Sequence, residues 1–290
     1  MNKIVIVTDS CADLTQKQVK QMDIHTIPLS VELEGVTYKH YPDERELKIK
    51  TFYQQLRNKK VAKTSLVNVG AFLTFFESFL KEGYDILYIG FSSALSGTLQ
   101  SSLVAKEELK EQYPNQKIEI VDSLCASMGL GLLIWYAWNL KEEGKSIVQI
   151  TKWLESNKLN LIHLFTVDDL GTLKRGGRLS DSQAFLGTLL RIKPILHVDD
   201  QGRLVPLKKA RGRSFSLESM VELMKDRIIE PEKQMIFISH GDCIDEAKQV
   251  GQMINEKYHV KDILYNHVGP VVGAHSGPGT IAVFFMGKYR

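Results

Sequence analysis

An α/β fold in two domains, the first built on a mainly parallel sheet, is what this sequence predicts, and three observations predict it. At 290 residues the chain has room for two domains of about 150 residues each. Three short apolar runs in its first half share one arrangement: a β-branched segment, an Asp/Ser turn, then a helical pattern. That order argues for parallel βαβ units. A second series of strands and helices begins near residue 161. The boundary falls within 150–162 and gives domains 1–160 and 161–290.

The elements follow in order. Residues 4–7 form a strand that Thr8-Asp9-Ser10 breaks before a helical stretch around 15–22. A hairpin is expected next, with strands 26–33 and 36–40 about a turn at Glu34-Gly35. Pro42-Asp43 opens a helix running to about Asn58. Asn68 caps another, in which Phe72, Phe75, Phe76, Phe79 and Leu80 recur at helical spacing as a core stripe. Strand 85–90 leads through 92–98 into a helix ending near Gln112. Strand 118–121 ends at Asp122-Ser123 and precedes a long helix over 128–140. In a parallel sheet the carboxyl ends of the strands share one edge, where ligands bind. Thr8-Asp9-Ser10, 92–98 and Asp122-Ser123 are therefore expected to converge there. The second block holds a strand at 161–167, a glycine-rich basic turn at 174–178 and a helix at 182–190. Strands 193–198 and 203–207 flank the turn signal Asp199-Asp200-Gln201-Gly202. Helix 216–228, strand 235–239, helix 244–256 and strands 263–266 and 280–286 complete it.

Composition narrows the function. With 43% hydrophobic and 24% charged residues the chain buries a real core, which excludes disorder. The longest apolar stretch, 128–138, is shorter than the roughly 20 residues of a membrane span, and the 4–7 run is too short for a secretory signal. Three cysteines without a C-x-x-C pair point to a reduced, cytoplasmic compartment. Net charge is +3, yet 174–213 carries ten Lys/Arg against three acids. That segment reads either as a solvated basic surface or as an attractor of anions. It lacks aromatic interleaving and any nucleic-acid reading motif, so no nucleic-acid partner is expected.

The candidate chemistry rests on hydroxyls. Residues 92–98 place small hydroxyl side chains beside the free N–H groups of a helix start, which suits a carboxylate or phosphate. Ser96 reads equally as a helix cap. Thr64-Ser65, in a loop before a helix, offers a second pair. Gly90-Phe91-Ser92-Ser93-Ala94 lacks the second glycine of a nucleophile elbow. His240, His267 and His275 show no metal-ligand spacing, so no metal is expected. Neither a phosphate-binding loop nor a second Asp two residues after Asp9 occurs. The 269–279 segment is rich in glycine, and His275 at its centre is expected on an irregular loop. Arg178, after two glycines, is suited to bidentate pairing with an anion.

Together, Thr8-Asp9-Ser10, Lys63-Thr64-Ser65, 92–98, Asp122-Ser123, Val167-Asp168-Asp169-Leu170, 174–178, Lys193-Pro194, His240-Gly241-Asp242 and 269–279 closely resemble the DegV family of bacterial fatty-acid-binding proteins. The match runs nearly end to end. Cys11 stands where a second Ser is usual, Leu66-Val67 where a Gln-Pro-like pair is usual, and Ser276 where Thr is common. The resemblance implies a long-chain fatty acid, such as palmitate, in a buried tunnel between two α/β domains. It implies Thr64 and Ser96 as carboxylate donors, Ser65 adjacent, and His275 and Arg178 close by. It further implies no cofactor, no catalytic residue, and a role either in lipid transport or in presenting the lipid to a separate fatty acid kinase. The rival reading is a serine esterase or acyl transferase using Ser96 with His275.

Overall fold

Burial decides which apolar runs become the centre. In the computed structural model, which describes residues 3–179 and 192–290, β1 (Ile4–Asp9) and β6 (Asp85–Gly90) are the inner strands of a four-stranded sheet. Its order is β2-β1-β6-β7, with β2 at Ile24–Ile27 and β7 at Ile118–Asp122, and every pair is parallel. Near-continuous apolar runs suit strands covered on both faces. Three helices pack on β6: α3 (Val69–Lys81), α5 (Met128–Glu142) and α6 (Ile147–Asn157). The phenylalanine stripe of α3 is core, as its spacing predicts: Phe72 and Phe76 are fully buried with ring centroids 5.2 and 5.9 Å from Tyr88. α1 (Gln16–Gln21) starts on a Thr15–Gln18 capping box, and α4 (Thr98–Leu109) follows β6.

Three expectations in this half need correction. The strand predicted over 26–33 is two strands in different sheets. Pro28 lacks an N–H, and Leu29 N–H donates to Ser10 Oγ at 3.0 Å, so the chain leaves the parallel sheet after Ile27. β3 (Ser30–Leu33) then pairs antiparallel with β4 (Val36–Lys39) and with β5 (Ala62–Ser65). Thr64 and Ser65 therefore lie on a strand, not in a loop. The helix opened at Pro42 begins only at α2 (Ile49–Arg57), because Glu44, at φ +55°, folds its carboxylate back to accept Ile49 N–H at 3.1 Å. α6 was not anticipated, although its Ser146–Gln149 capping box is written in the sequence.

The second sheet is six-stranded and mixed, ordered β10-β9-β8-β13-β11-β12. Its strands are β8 (Leu161–Thr166), β9 (Ile192–Val198), β10 (Leu204–Arg211), β11 (Met235–His240), β12 (Asp262–His267) and β13 (Ile281–Met286). Only β11 and β12 run parallel. α7 (Leu170–Arg175) takes up the start of the expected basic turn. α8 (Arg213–Leu223) begins and ends earlier than its pattern suggested, and α9 (Ile244–Tyr258) connects the parallel pair. The glycine-rich segment is not irregular throughout. Pro270, pre-set for a first helical position, starts α10 (Pro270–Ser276), and Gly277 at φ +80° ends it. The helix expected over 182–190 lies outside the described residues.

α5 packs against β6 of the first sheet and against β8, β11 and β13 of the second, so one apolar cluster runs through both. The approach is close at Gly129. A Cβ there would stand 2.2 Å from His163 Nε2, which accepts Ala126 N–H at 3.1 Å. Gly129→Ala is expected to lower the unfolding free energy by about 3 kcal/mol, because overpacking and the lost hydrogen bond outweigh the alanine's helix preference. Urea denaturation of the variant beside the native chain measures this.

Candidate functional site

A cavity enclosing about 1020 Å³, its open mouth included, lies between strands of the six-stranded and three-stranded sheets and the segments that follow the strands of the parallel sheet, such as Cys11, Leu29 and Phe91. Its direction can be read from one strand. Ala282 and Phe284 of β13 line it, as does Thr280 just before that strand. Alternate residues of an extended chain face one side, so these three mark a wall roughly 13 Å long. His163 and Phe165 of β8 line it likewise, and Phe165 is the register partner of Ala282. Leu29, Phe91, Leu95 and Val198 supply further apolar surface.

All five side chains singled out from the sequence line this one cavity: Thr64, Ser65, Ser96, Arg178 and His275. β5 carries Thr64 to within 2.8 Å of His275 Nε2 on α10. Ser96 Oγ accepts Thr98 N–H at 3.2 Å and lies 2.9 Å from Thr98 Oγ1, so it helps to cap α4 while facing the cavity. Arg178 is held by two carbonyls, its Nε donating to Leu95 O at 3.2 Å and its Nη1 to Gly176 O at 2.6 Å. Among the described residues no carboxylate forms an ion pair with it. Burial, and then the Arg178 guanidinium, push the pKa of His275 down to about 4. The imidazole is therefore neutral near pH 7, and the fixed positive charge at this end is Arg178.

The carboxyl edge of the parallel sheet behaves differently from expectation. Its polar residues do converge, but most bond to the protein. Asp9 accepts from Phe91 N–H at 2.9 Å, Cys11 N–H at 2.9 Å and Tyr88 O–H at 3.0 Å. Burial dominates there and raises its pKa. Thr8 donates to Ile89 O and Ser92 to Gly202 O, each at 2.8 Å. Of that edge, Ser96 is the hydroxyl that reaches the cavity.

A model described as "Uncharacterised protein, DegV family" matches residues 3–288. The chain belongs to the DegV family. A DegV domain-containing protein of Clostridium perfringens is 49% identical over 290 residues, covering 100% of this chain and 99% of that one. Among solved structures, a DegV family protein of Thermus thermophilus described by its fatty acid binding superposes with a TM-score of 0.90. It is 29% identical, with 99% of this chain and 100% of that one covered. DegV of Bacillus subtilis, described as a fatty acid binding protein, gives 0.85 at 32% identity over 99% and 100%.

In this DegV chain the esterase pairing is not formed. His275 meets Thr64 rather than Ser96, and among the described residues its buried Nδ1 has no hydrogen-bond partner to orient the ring, whereas a triad base is held by a third group. Among the described residues no three His, Cys, Asp or Glu side chains gather as metal ligands, and no helix is long and apolar enough to cross a membrane. The basic segment also carries less free charge than its count suggests. Lys193 pairs with Asp168 at 2.8 Å, Arg203 with Asp199 at 2.7 Å and Arg213 with Glu246 at 2.9 Å. Sequence reading missed the inner wall of the DegV cavity, including His163, Ser127, Ser239 and Phe284, because these positions look like ordinary core.

Proposed function

We propose that this DegV protein binds a long-chain fatty acid such as palmitate, with the carboxylate held by Thr64 and Ser96, Ser65 adjacent, and His275 and Arg178 beside it. One observation carries the reading: hydroxyls and an arginine without a carboxylate partner among the described residues share a cavity whose remaining walls are largely apolar. The Thermus thermophilus and Bacillus subtilis proteins, similar along their whole length, are described as fatty-acid-binding. In this reading the chain divides at 160/161 and the lipid lies between domains 1–160 and 161–290. It needs no cofactor, works in the cytoplasm, and performs no chemistry alone; it presents the acyl group to a separate fatty acid kinase.

The energetics divide the labour. At about 0.8 kcal/mol per buried methylene, some 15 methylenes gain about 12 kcal/mol before association costs are met. A charge-assisted hydrogen bond adds about 1.5–3 kcal/mol. The tail sets affinity, and the hydroxyls orient the head and spare it a buried, unpaired charge. Purified protein from a bacterial host is expected to carry near-stoichiometric acyl chain, detected by mass spectrometry of the denatured extract. Delipidated Thr64→Val is expected to bind palmitate at least tenfold more weakly by titration calorimetry. An extract free of acyl chains, with no palmitate binding by the delipidated native chain, would refute the reading.

A further inference from the structure

Among the described residues, the buried hydroxyls that line the cavity have partners inside the protein, with one exception. Ser127 Oγ donates to Asp13 Oδ2 at 2.6 Å and lies 3.0 Å from Ser239 Oγ. Thr280 Oγ1 faces the carbonyls of Ser276 and Gly277 at 3.0 and 2.9 Å. Ser96 and Thr64 meet Thr98 and His275. Ser276 Oγ is buried, belongs to a residue that lines the cavity, and has no hydrogen-bond partner among the described residues. A serine inside a helix can return its hydroxyl to the carbonyl four residues back; here it does not. Buried hydroxyls are paired as a rule, so an orphan facing a ligand cavity calls for a partner that arrives with the ligand. Ser276 directly follows His275 in the last turn of α10, with its Cα about 3.8 Å along the chain. It therefore sits at the end of the cavity where His275 meets Thr64.

We propose that Ser276 is a further head-group residue whose hydroxyl donates to an oxygen of the bound carboxylate. This rests on the fatty-acid reading above and adds a donor at a position that the sequence marked only as a Ser where Thr is common. Thr64, Ser96 and Ser276 would then approach the carboxylate from β5, the start of α4 and the end of α10, so that all three sheets' surroundings fix its orientation. Such a hydroxyl acts on the head alone, and its contribution is independent of how many methylenes follow.

The test measures affinities of delipidated protein for myristate, palmitate and stearate by titration calorimetry. Ser276→Ala is expected to weaken all three by one common factor of about ten, and Ser276→Thr, which keeps the hydroxyl, is expected to stay within about threefold of the native chain. Unchanged affinity in Ser276→Ala overturns the assignment while leaving the fatty-acid reading intact. So does a loss that grows with chain length, which marks a wall residue packing on the tail. A Thr variant as weak as the Ala variant likewise overturns it. If the native chain binds none of the three acids, the fatty-acid reading falls and this donor falls with it.

Discussion

Stability is expected to peak between about pH 6.5 and 7 and to fall steeply toward pH 4.5. The cause is a set of histidines that the fold keeps neutral. Burial lowers the pKa of His40, His240 and His275 to about 4, drives that of His163 well below its ordinary value, and lowers those of His197 and His267. A histidine with a depressed folded pKa binds its proton more readily in the unfolded chain. Between the folded and unfolded pKa the unfolded state holds more protons, so stability rises with pH in that window and is lost on acidification. A fully buried group of this kind is worth up to about 1.4 kcal/mol per pH unit inside that window, and a partly exposed one less, because water screens its charge. His40, its folded pKa lowered by burial to about 4, alone removes about 2 kcal/mol between pH 6.5 and 4.5, against a total of about 5–15 kcal/mol for a typical fold. Asp13 works in the opposite sense. Burial raises its carboxyl to about 8, so the folded state holds a proton that the unfolded state releases near pH 4, and stability declines as pH rises toward 8. Asp9, also raised by burial, adds to that direction. The histidines outnumber these two carboxyls, so the acid limb is the steeper one. Urea midpoints measured from pH 4.5 to 8.5 should show both limbs. Asp13→Asn should flatten the alkaline one, since a neutral amide still accepts the Ser127 hydroxyl. A midpoint constant across the range would show that these groups do not titrate as their burial demands.

The parallel βαβ units were legible because each announces itself locally. The 4–7, 85–90 and 118–121 runs are short, apolar and ended by turn-forming residues, and no distant contact is needed to define them. β5 was not legible. Ala62–Ser65 is a short edge strand whose register is set by β3, some thirty residues earlier, and its sequence carries little β signal. α2 was misjudged at its start because a side-chain cap from Glu44, five residues upstream, decides where the helix begins. The candidate head-group residues stood out since hydroxyls, a histidine and an arginine cluster at glycine- and serine-rich junctions. The tail's walls did not. Phe284 and His163 belong to core strands, and whether a core side chain faces packing or a cavity depends on what stands opposite, which periodicity does not report.

Ala282→Trp is expected to weaken palmitate binding by more than 100-fold while leaving octanoate within a few-fold. Thr280, Ala282 and Phe284 mark successive depths along one wall, and Ala282 is the small residue between the polar end and the inner end at His163 and Phe284. An indole there occupies the passage midway. A chain that stops short of it keeps its head-group contacts and its first methylenes. A 16-carbon chain loses the burial of its distal half, about 5 kcal/mol at about 0.8 kcal/mol per methylene for some six groups, which exceeds a thousandfold before any relaxation of the wall. Overpacking costs stability as well, about 1–3 kcal/mol, so a thermal melt must accompany the calorimetry to separate a blocked cavity from a loosened fold. The contrast with Thr64→Val is the informative part. Removing a head-group hydroxyl should weaken short and long acids by similar factors, whereas the tryptophan should discriminate between them by chain length. Palmitate binding that survives Ala282→Trp unchanged would mean that the acyl chain does not run along β13.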